Sequence, residues 1–251
     1  RVELARDKAP ILPLGICVAD TEGGMGYMIE QSLQNRLRQE KIKRDVVTFV
    51  TQVVVDKNDP SMKDPSKYIG QFYKYNEARK FARERDWSIK KDADRGWRRV
   101  VPSPIPLDIP SARQIKTLVS KGVIVIAAGG GGIPVFVDDD GNYDGVDAVI
   151  DKDRASALLA KLIDAELLLI LTGVDNVALN YGKLDQVLLG EVKYDEMKQY
   201  LTEGHFPPGS MGPKVEAALA FLEIGRKKVI ITSIEKAVEA VEGKAGTTIT
   251  K

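Results

Sequence analysis

The chain has 251 residues, enough to bury a full core as one large α/β domain or two small ones. With 43% hydrophobic and 29% charged residues, and 37 Lys plus Arg against 36 Asp plus Glu, it lacks the charge excess of a dedicated nucleic-acid or membrane-surface protein. The single cysteine, Cys17, excludes an intrachain disulfide, the single histidine, His205, excludes a multi-histidine zinc site, and no apolar run reaches membrane-span length, so a cytoplasmic setting is expected.

Ile11-Leu12-Pro13-Leu14 leads into Asp20-Thr21-Glu22, which reads as a capped, acidic helix entry. Met25, Met28, Ile29, Leu33 and Leu37 follow at helical spacing, with Arg36 and Arg38 in the last turn. Asp45 to Val55 is a β-branched run, too apolar for a one-sided strand, and is expected to form a single central one. Composition shifts at Asp56-Lys57-Asn58-Asp59-Pro60, and the charged, aromatic stretch to Pro104 is fenced by Pro60, Pro65, Pro102 and Pro104. Within it, Glu77 to Arg85 reads as a short helix, and Trp87–Lys90 and Trp97–Val101 read as a hairpin around the turn-rich 92–96. Residues 56–104 are therefore expected to be an inserted subdomain able to act as a lid.

After Pro110 the alternation is regular. Ser111 is expected to cap a helix closed by Gly122, and Val123 to Ala128 reads as a buried strand. Val135–Val137 and Tyr143 flank the turn 138–142. A helix carrying Ala155, Leu158, Leu159, Leu162 and Ile163 then precedes the strand Leu167–Leu171. Helices over Asp195–Leu201 and Met211–Ile224, the strand Lys228–Thr232, and a helix capped by Ser233 with Ile234, Ala237, Val238 and Val241 inward complete the chain. Strands and helices alternating at these lengths imply an α/β fold with a mostly parallel sheet between helical layers.

Chemistry centres on the run Gly129-Gly130-Gly131-Gly132 after the strand Val123–Ile126. Without Cβ atoms, such a loop lets several N–H groups face one anion, or lets the chain turn tightly against a neighbouring helix; by itself the run leaves both readings open. Pro134 breaks a dinucleotide fingerprint, and Ala245 after Gly243-Lys244 breaks a P-loop. His205, in Gly204-His205-Phe206-Pro207-Pro208-Gly209, reads better as a loop histidine than as a catalytic base.

More informative are Asp151-Lys152-Asp153 and Gly212-Pro213-Lys214, each at the front of a helix. Acids belong there, because they complement the free N–H groups; lysines do not. Two lysines against the dipole, beside a glycine loop, point to an anion whose charge outweighs that penalty. A site of backbone N–H groups and lysines, with no strong general base, suits phosphoryl transfer, in which charge spreads over phosphoryl oxygens.

At these residues the chain resembles the carbamate kinases of the amino-acid kinase family. Val54 to Pro60, Arg95 to Pro104, Ala128 to Val135, Gly145 to Asp153, Val177 to Gly182, and Gly204 to Ala217 match in the family's order. The resemblance implies a three-layer αβα sandwich over residues 1–251, with residues 56–104 as a protruding lid, usually in a homodimer. It implies reversible phosphoryl transfer between carbamoyl phosphate and ADP, giving ATP and carbamate, with Mg²⁺ accompanying the nucleotide and no protein-held metal. Lys152, Asp153 and Lys214 match the catalytic constellation. Lys67 and Gly129, Gly130, Gly131 and Gly132 match the substrate side, and Thr172, Gly173, Val174, Asp175, Tyr181, Met211 and Lys214 match the nucleotide edge. Lys214→Ala is expected to lower turnover far more than stability. The family's opening strand–loop–helix unit, with its glycine–asparagine loop, has no counterpart from Arg1 onward, so the domain is expected to be N-terminally incomplete. Another small-carboxylate or phosphate kinase, or a catalytically impaired relative, stands as the alternative.

Overall fold

The computed structural model describes residues 12–207, 209–223, 225 and 228–251, which form two compact units. The first holds the described residues up to Ser111 together with Leu118–Lys152; the second holds Ala112–Thr117 and Asp153–Lys251.

The first unit opens on α1 (Leu14–Gln39), which begins directly after Pro13, so the predicted entry at Asp20–Glu22 lies inside the helix. There Glu22 and Gly26 are buried while Met25, Met28 and Ile29 are exposed. Gly26 lies so close to Thr48 that any Cβ would overlap the threonine side chain, and Thr48 Oγ1 donates to Glu30 at 2.7 Å.

The predicted single strand over 45–55 is in fact two, β1 (Val46–Thr48) and β2 (Gln52–Val55), and they belong to different sheets. The step between them is made at Phe49–Thr51, where Thr51 is fully buried. Its N–H donates to Glu22 and its hydroxyl to the Phe49 carbonyl, so side chains supply the bonds a continuous ladder would have made. Periodicity cannot show such a break, because both halves are equally apolar.

Next come β3 (Lys67–Tyr73), α2 (Tyr75–Arg85), β4 (Ser88–Lys91) and β5 (Trp97–Val101). They form an antiparallel sheet in the order β3-β5-β4, including the expected hairpin, around Tyr73, Ala78 and Trp87. Arg98 ties this segment together by donating to Asp92 and to the Gly70 carbonyl. Burial alone would raise the Asp92 carboxyl, but Arg95 and Arg98 together hold it below the usual range.

The chain returns through β6 (Pro106–Asp108), α3 (Ala112–Ser120), β7 (Ile124–Ile126), β8 (Ile133–Val137) and β9 (Tyr143–Gly145). Ser111 precedes α3 but makes no side-chain cap, and its buried hydroxyl has no hydrogen-bond partner. Strand β7 pairs parallel with β1, and a second sheet runs β6-β2-β8-β9.

The second unit contains α4 (Lys152–Leu162, from Asp153 on), β10 (Leu167–Thr172), β11 (Ala178–Leu179), β12 (Val187–Leu188) and β13 (Glu191–Lys193). It continues with α5 (Tyr194–Thr202), α6 (Met211–Leu222), β14 (Lys228–Ser233), α7 (Ala237–Val241) and β15 (Thr247–Thr250). Its sheet runs β10-β14-β15-β13 beneath a core that includes Val215, Phe221, Leu222, Val229 and Ile249. The predicted end of α6 at Ile224 lies outside the described residues. Helix α7 is shorter than expected. Ser233 Oγ accepts the Lys236 N–H, but Ile234 and Val238 are 70% and 74% exposed, and only Ala240 in the helix is fully buried.

Among the described residues, four strand pairings are parallel and six antiparallel, so the α/β architecture has several mixed sheets rather than one mostly parallel sheet. Short hairpins and the segment between β2 and β6 account for the excess. No helix among the described residues is long and apolar enough to cross a membrane.

Candidate active site

In the first unit the glycine run forms a single tight turn between β7 and β8. Ala128 enters it in the left-handed region at φ 54°, with its N–H donating to Thr51 Oγ1 at 2.9 Å. The four glycines then divide by environment. A Cβ on Gly131 would overlap the Ile150 carbonyl oxygen, and one on Gly132 would overlap the Val53 side chain. Gly129 lies against Glu22 of α1, whereas a Cβ on Gly130 (φ 67°) would meet open space. The packing reading therefore holds for half of the run. Gly131 and Gly132 serve close packing, and Gly129 and Gly130 present backbone at the surface.

Close to this loop in the chain, the Asp151 carboxylate takes the Lys67 ammonium at 2.7 Å, with both side chains substantially buried. Lys67 thus reaches from β3 to the residue that follows Ile150, whose carbonyl packs on Gly131. Lys152, the first residue of α4, is exposed.

In the second unit, Asp153 sits in the first turn of α4 and Lys214 in the first turn of α6, and they pair at 2.9 Å with side chains only 10% and 12% exposed. This resolves the misplaced lysine: at the front of α6 it is balanced by an acid that the front of α4 favours. Arg154 and Glu216 form a second bridge between the same two helices, at 2.8 Å.

Beside this pair lies a cavity of about 310 Å³. It is lined by Thr172, Gly173, Val174, Asn176, Ala178, Tyr181, Phe206, Pro207, Ser210, Met211 and Lys214. Apolar walls with one ammonium at the edge suit a flat ring carrying an anionic tail. All the residues expected at a nucleotide edge line it except Asp175, which is exposed nearby in the chain. Two buried threonines brace this wall. Thr232 Oγ1 donates to the Asp175 carbonyl, and Thr247 Oγ1 accepts the Val177 N–H while donating to the Leu189 carbonyl.

Sequence reading missed the roles of Phe206 and Pro207 in the wall, although they stand in the Gly204–Gly209 stretch that drew notice for its histidine. It also missed Glu22, whose only signal was an acid between apolar helical positions. His205 pairs with Glu203 at 3.2 Å, stacks edge-on against Tyr200 and does not line the cavity.

Known proteins share this sequence and fold. The amino acid kinase family matches residues 77–233. The chain is 50% identical over 242 residues to a carbamate kinase of Thermococcus kodakarensis, covering 96% of this chain and 76% of that one. It is equally similar, at 50% over 254 residues, to the carbamate kinase-like protein YahI of Escherichia coli, covering 100% and 80%. Among solved structures, a carbamate kinase from Giardia lamblia bound to AMP-PNP aligns with a TM-score of 0.92 at 43% identity, over 100% of this chain and 79% of that one.

Proposed function

The chain belongs to the carbamate kinases of the amino-acid kinase family and is a phosphotransferase, and on that premise we propose that it transfers a phosphoryl group reversibly between carbamoyl phosphate and ADP. The observation that carries the proposal is the buried Lys214–Asp153 pair at the edge of an apolar cavity. In the forward step an oxygen of the ADP β-phosphate bonds to phosphorus while the bond from phosphorus to the carbamate oxygen breaks. Carbamate leaves as an anion and total charge is conserved, so no proton has to move. That is consistent with a site rich in lysine and poor in general bases.

Lys214 neutralises charge on the phosphoryl oxygens, Asp153 fixes the ammonium's position, and Lys152 adds a second cation at the front of α4. The Gly129–Gly130 backbone meets the transferred phosphate, and Gly131 and Gly132 hold its shape. Lys67 reaches the carbamoyl end. Thr172, Gly173, Val174, Asp175, Tyr181 and Met211 seat the nucleotide. Mg²⁺ would be held by the nucleotide phosphates and water rather than by a carboxylate cage of the protein. Bound in that way, the ion supplies charge neutralisation. The three-layer αβα sandwich, the lid role of 56–104, a homodimer and a cytoplasmic setting belong to the same proposal.

The test is ATP formation from carbamoyl phosphate and ADP in a coupled assay. A rate no higher than the enzyme-free control overturns the proposal, and ATP formed from acetyl phosphate alone moves the chain to another small-carboxylate kinase. Lys67→Met is expected to raise the KM for carbamoyl phosphate about tenfold or more, leaving the KM for ADP near wild type, because one charge-assisted contact is lost at one substrate only. Steady-state kinetics with each substrate varied in turn checks this.

A further inference from the structure

We propose that Glu22 is a positioning residue that sets the geometry of the Gly129–Gly132 loop from its place on α1. The inference deepens the reading of that loop as the phosphate-handling element and rests on it for its functional meaning. Glu22 is 5% exposed, well inside α1. Its Oε2 accepts the Thr51 N–H at 2.9 Å, and the Thr51 hydroxyl in turn accepts the Ala128 N–H at 2.9 Å, at the entrance of the loop. Its Oε1 is sealed from solvent with no hydrogen bond of good geometry, and the Gly129 N–H is the loop group turned toward the carboxylate. The Glu22 Cγ lies 3.4 Å from the place a Gly129 Cβ would occupy. One side chain therefore governs both the residue that enters the loop and the first glycine in it.

No cation faces this carboxylate among the described residues. One turn away on α1 stand Val18, Ala19, Met25 and Gly26, and the segments packed nearby, 46–51, 128–131 and 133–137, carry no ionisable side chain. Burial without a counter-charge pushes the group up to about 7, with the Thr51 and Gly129 N–H groups pulling the other way. As a carboxylate, Glu22 accepts from the Thr51 N–H and presents its second oxygen to the Gly129 N–H. As an acid, it carries an O–H that competes with one of them. The loop thus has two hydrogen-bond arrangements that differ by one proton.

Amide hydrogen exchange at 128–132, with wild type and Glu22→Gln compared at the same pH, tests the proposal. At pH 8 the variant is expected to exchange about tenfold faster at Ala128–Gly130, the effect of one lost charged hydrogen bond, while the amides of β8 are unchanged. Below pH 6, where wild type is itself protonated, the difference closes. Equal loop protection in both proteins at pH 8, or loosening of β8 as large as that of the loop, overturns the proposal. Should Glu22→Gln not fold, Glu22→Asp withdraws the carboxylate by one methylene and is expected to loosen the same amides. ATP formation supplies a separate arm: an inflection near pH 7 in wild-type turnover is expected to vanish in Glu22→Gln, and its persistence in the variant also counts against the proposal. If neither protein makes ATP, the kinase reading fails and the exchange data still decide the role of Glu22.

Discussion

Lys214→Ala is expected to lower ATP formation by about 10³-fold, the scale of removing one preorganised charge from a phosphoryl-transfer site. The structure adds a cost that the sequence did not suggest. Lys214 is paired at 2.9 Å with Asp153, and both side chains are nearly closed to solvent. Removing one partner leaves the other charge in a low-dielectric setting, so the variant is expected to lose about 3 kcal/mol as well. Turnover is still expected to fall further than stability, but stability is expected to fall as well. Two further variants separate the effects. Lys214→Arg keeps the charge but replaces a compact ammonium with a planar fork, so it is expected to recover stability while remaining slow. The double variant Lys214→Met with Asp153→Asn removes both charges and is expected to recover most of the stability while staying inactive. Urea unfolding and the coupled assay give the two readouts. Turnover within a few-fold of wild type in Lys214→Ala removes Lys214 from the mechanism.

Gly131→Ala carries the second large effect, and it acts on the loop's frame. At φ 116° the backbone is already in a region that L side chains rarely adopt, and the added Cβ would overlap the Ile150 carbonyl oxygen and lie 2.9 Å from its carbon. Backbone strain and overpacking together are expected to cost about 4 kcal/mol. For a chain of this length that is a fall in Tm of about 10 °C. Gly130→Ala is the control. It also has a positive φ, of 67°, but its Cβ meets nothing within 4 Å, so only the conformational penalty of about 1 kcal/mol remains. Thermal unfolding of the pair checks the division of the glycines. Equal losses in the two variants contradict it, because the backbone conformation alone would then set the cost.

Stability against pH gives a further check on the same loop. The Glu22 carboxyl is raised to about 7 in the folded protein from an ordinary value of 4.5. The folded state therefore binds the proton more tightly, and the stabilising contribution is full below pH 4.5 and lost as pH rises through 7. Wild type is expected to lose stability by up to about 3 kcal/mol across that window, since each tenfold difference in proton affinity between the folded and unfolded states is worth about 1.4 kcal/mol. Glu22→Gln should flatten that slope, as urea unfolding at a series of pH values would show.

Much of the chain could be read locally. Helices α2, α4, α5 and α6 and strands β10 and β14 fell where composition, apolar spacing and glycine placed them, because each is a single uninterrupted element. The conflict between Lys214 and its helix dipole was legible for the same reason: charge at a helix end is a property of a few consecutive residues. The division of Asp45–Val55 between two sheets was not legible, since the Thr51 N–H at the step between them is taken by Glu22, far away along the chain. Nor was the exposure of Ile234 and Val238, which depends on how much of α7 its unit covers. The glycine run shows the boundary most plainly. By itself the sequence determined that four residues without Cβ follow an apolar strand, and that two lysines and several acids stand at helix starts. Only the tertiary structure decided which glycines are consumed by packing, which acid Lys214 meets, and that a buried carboxylate lies against the loop. Those outcomes depend on distances between residues remote in the chain, and no local pattern encodes them.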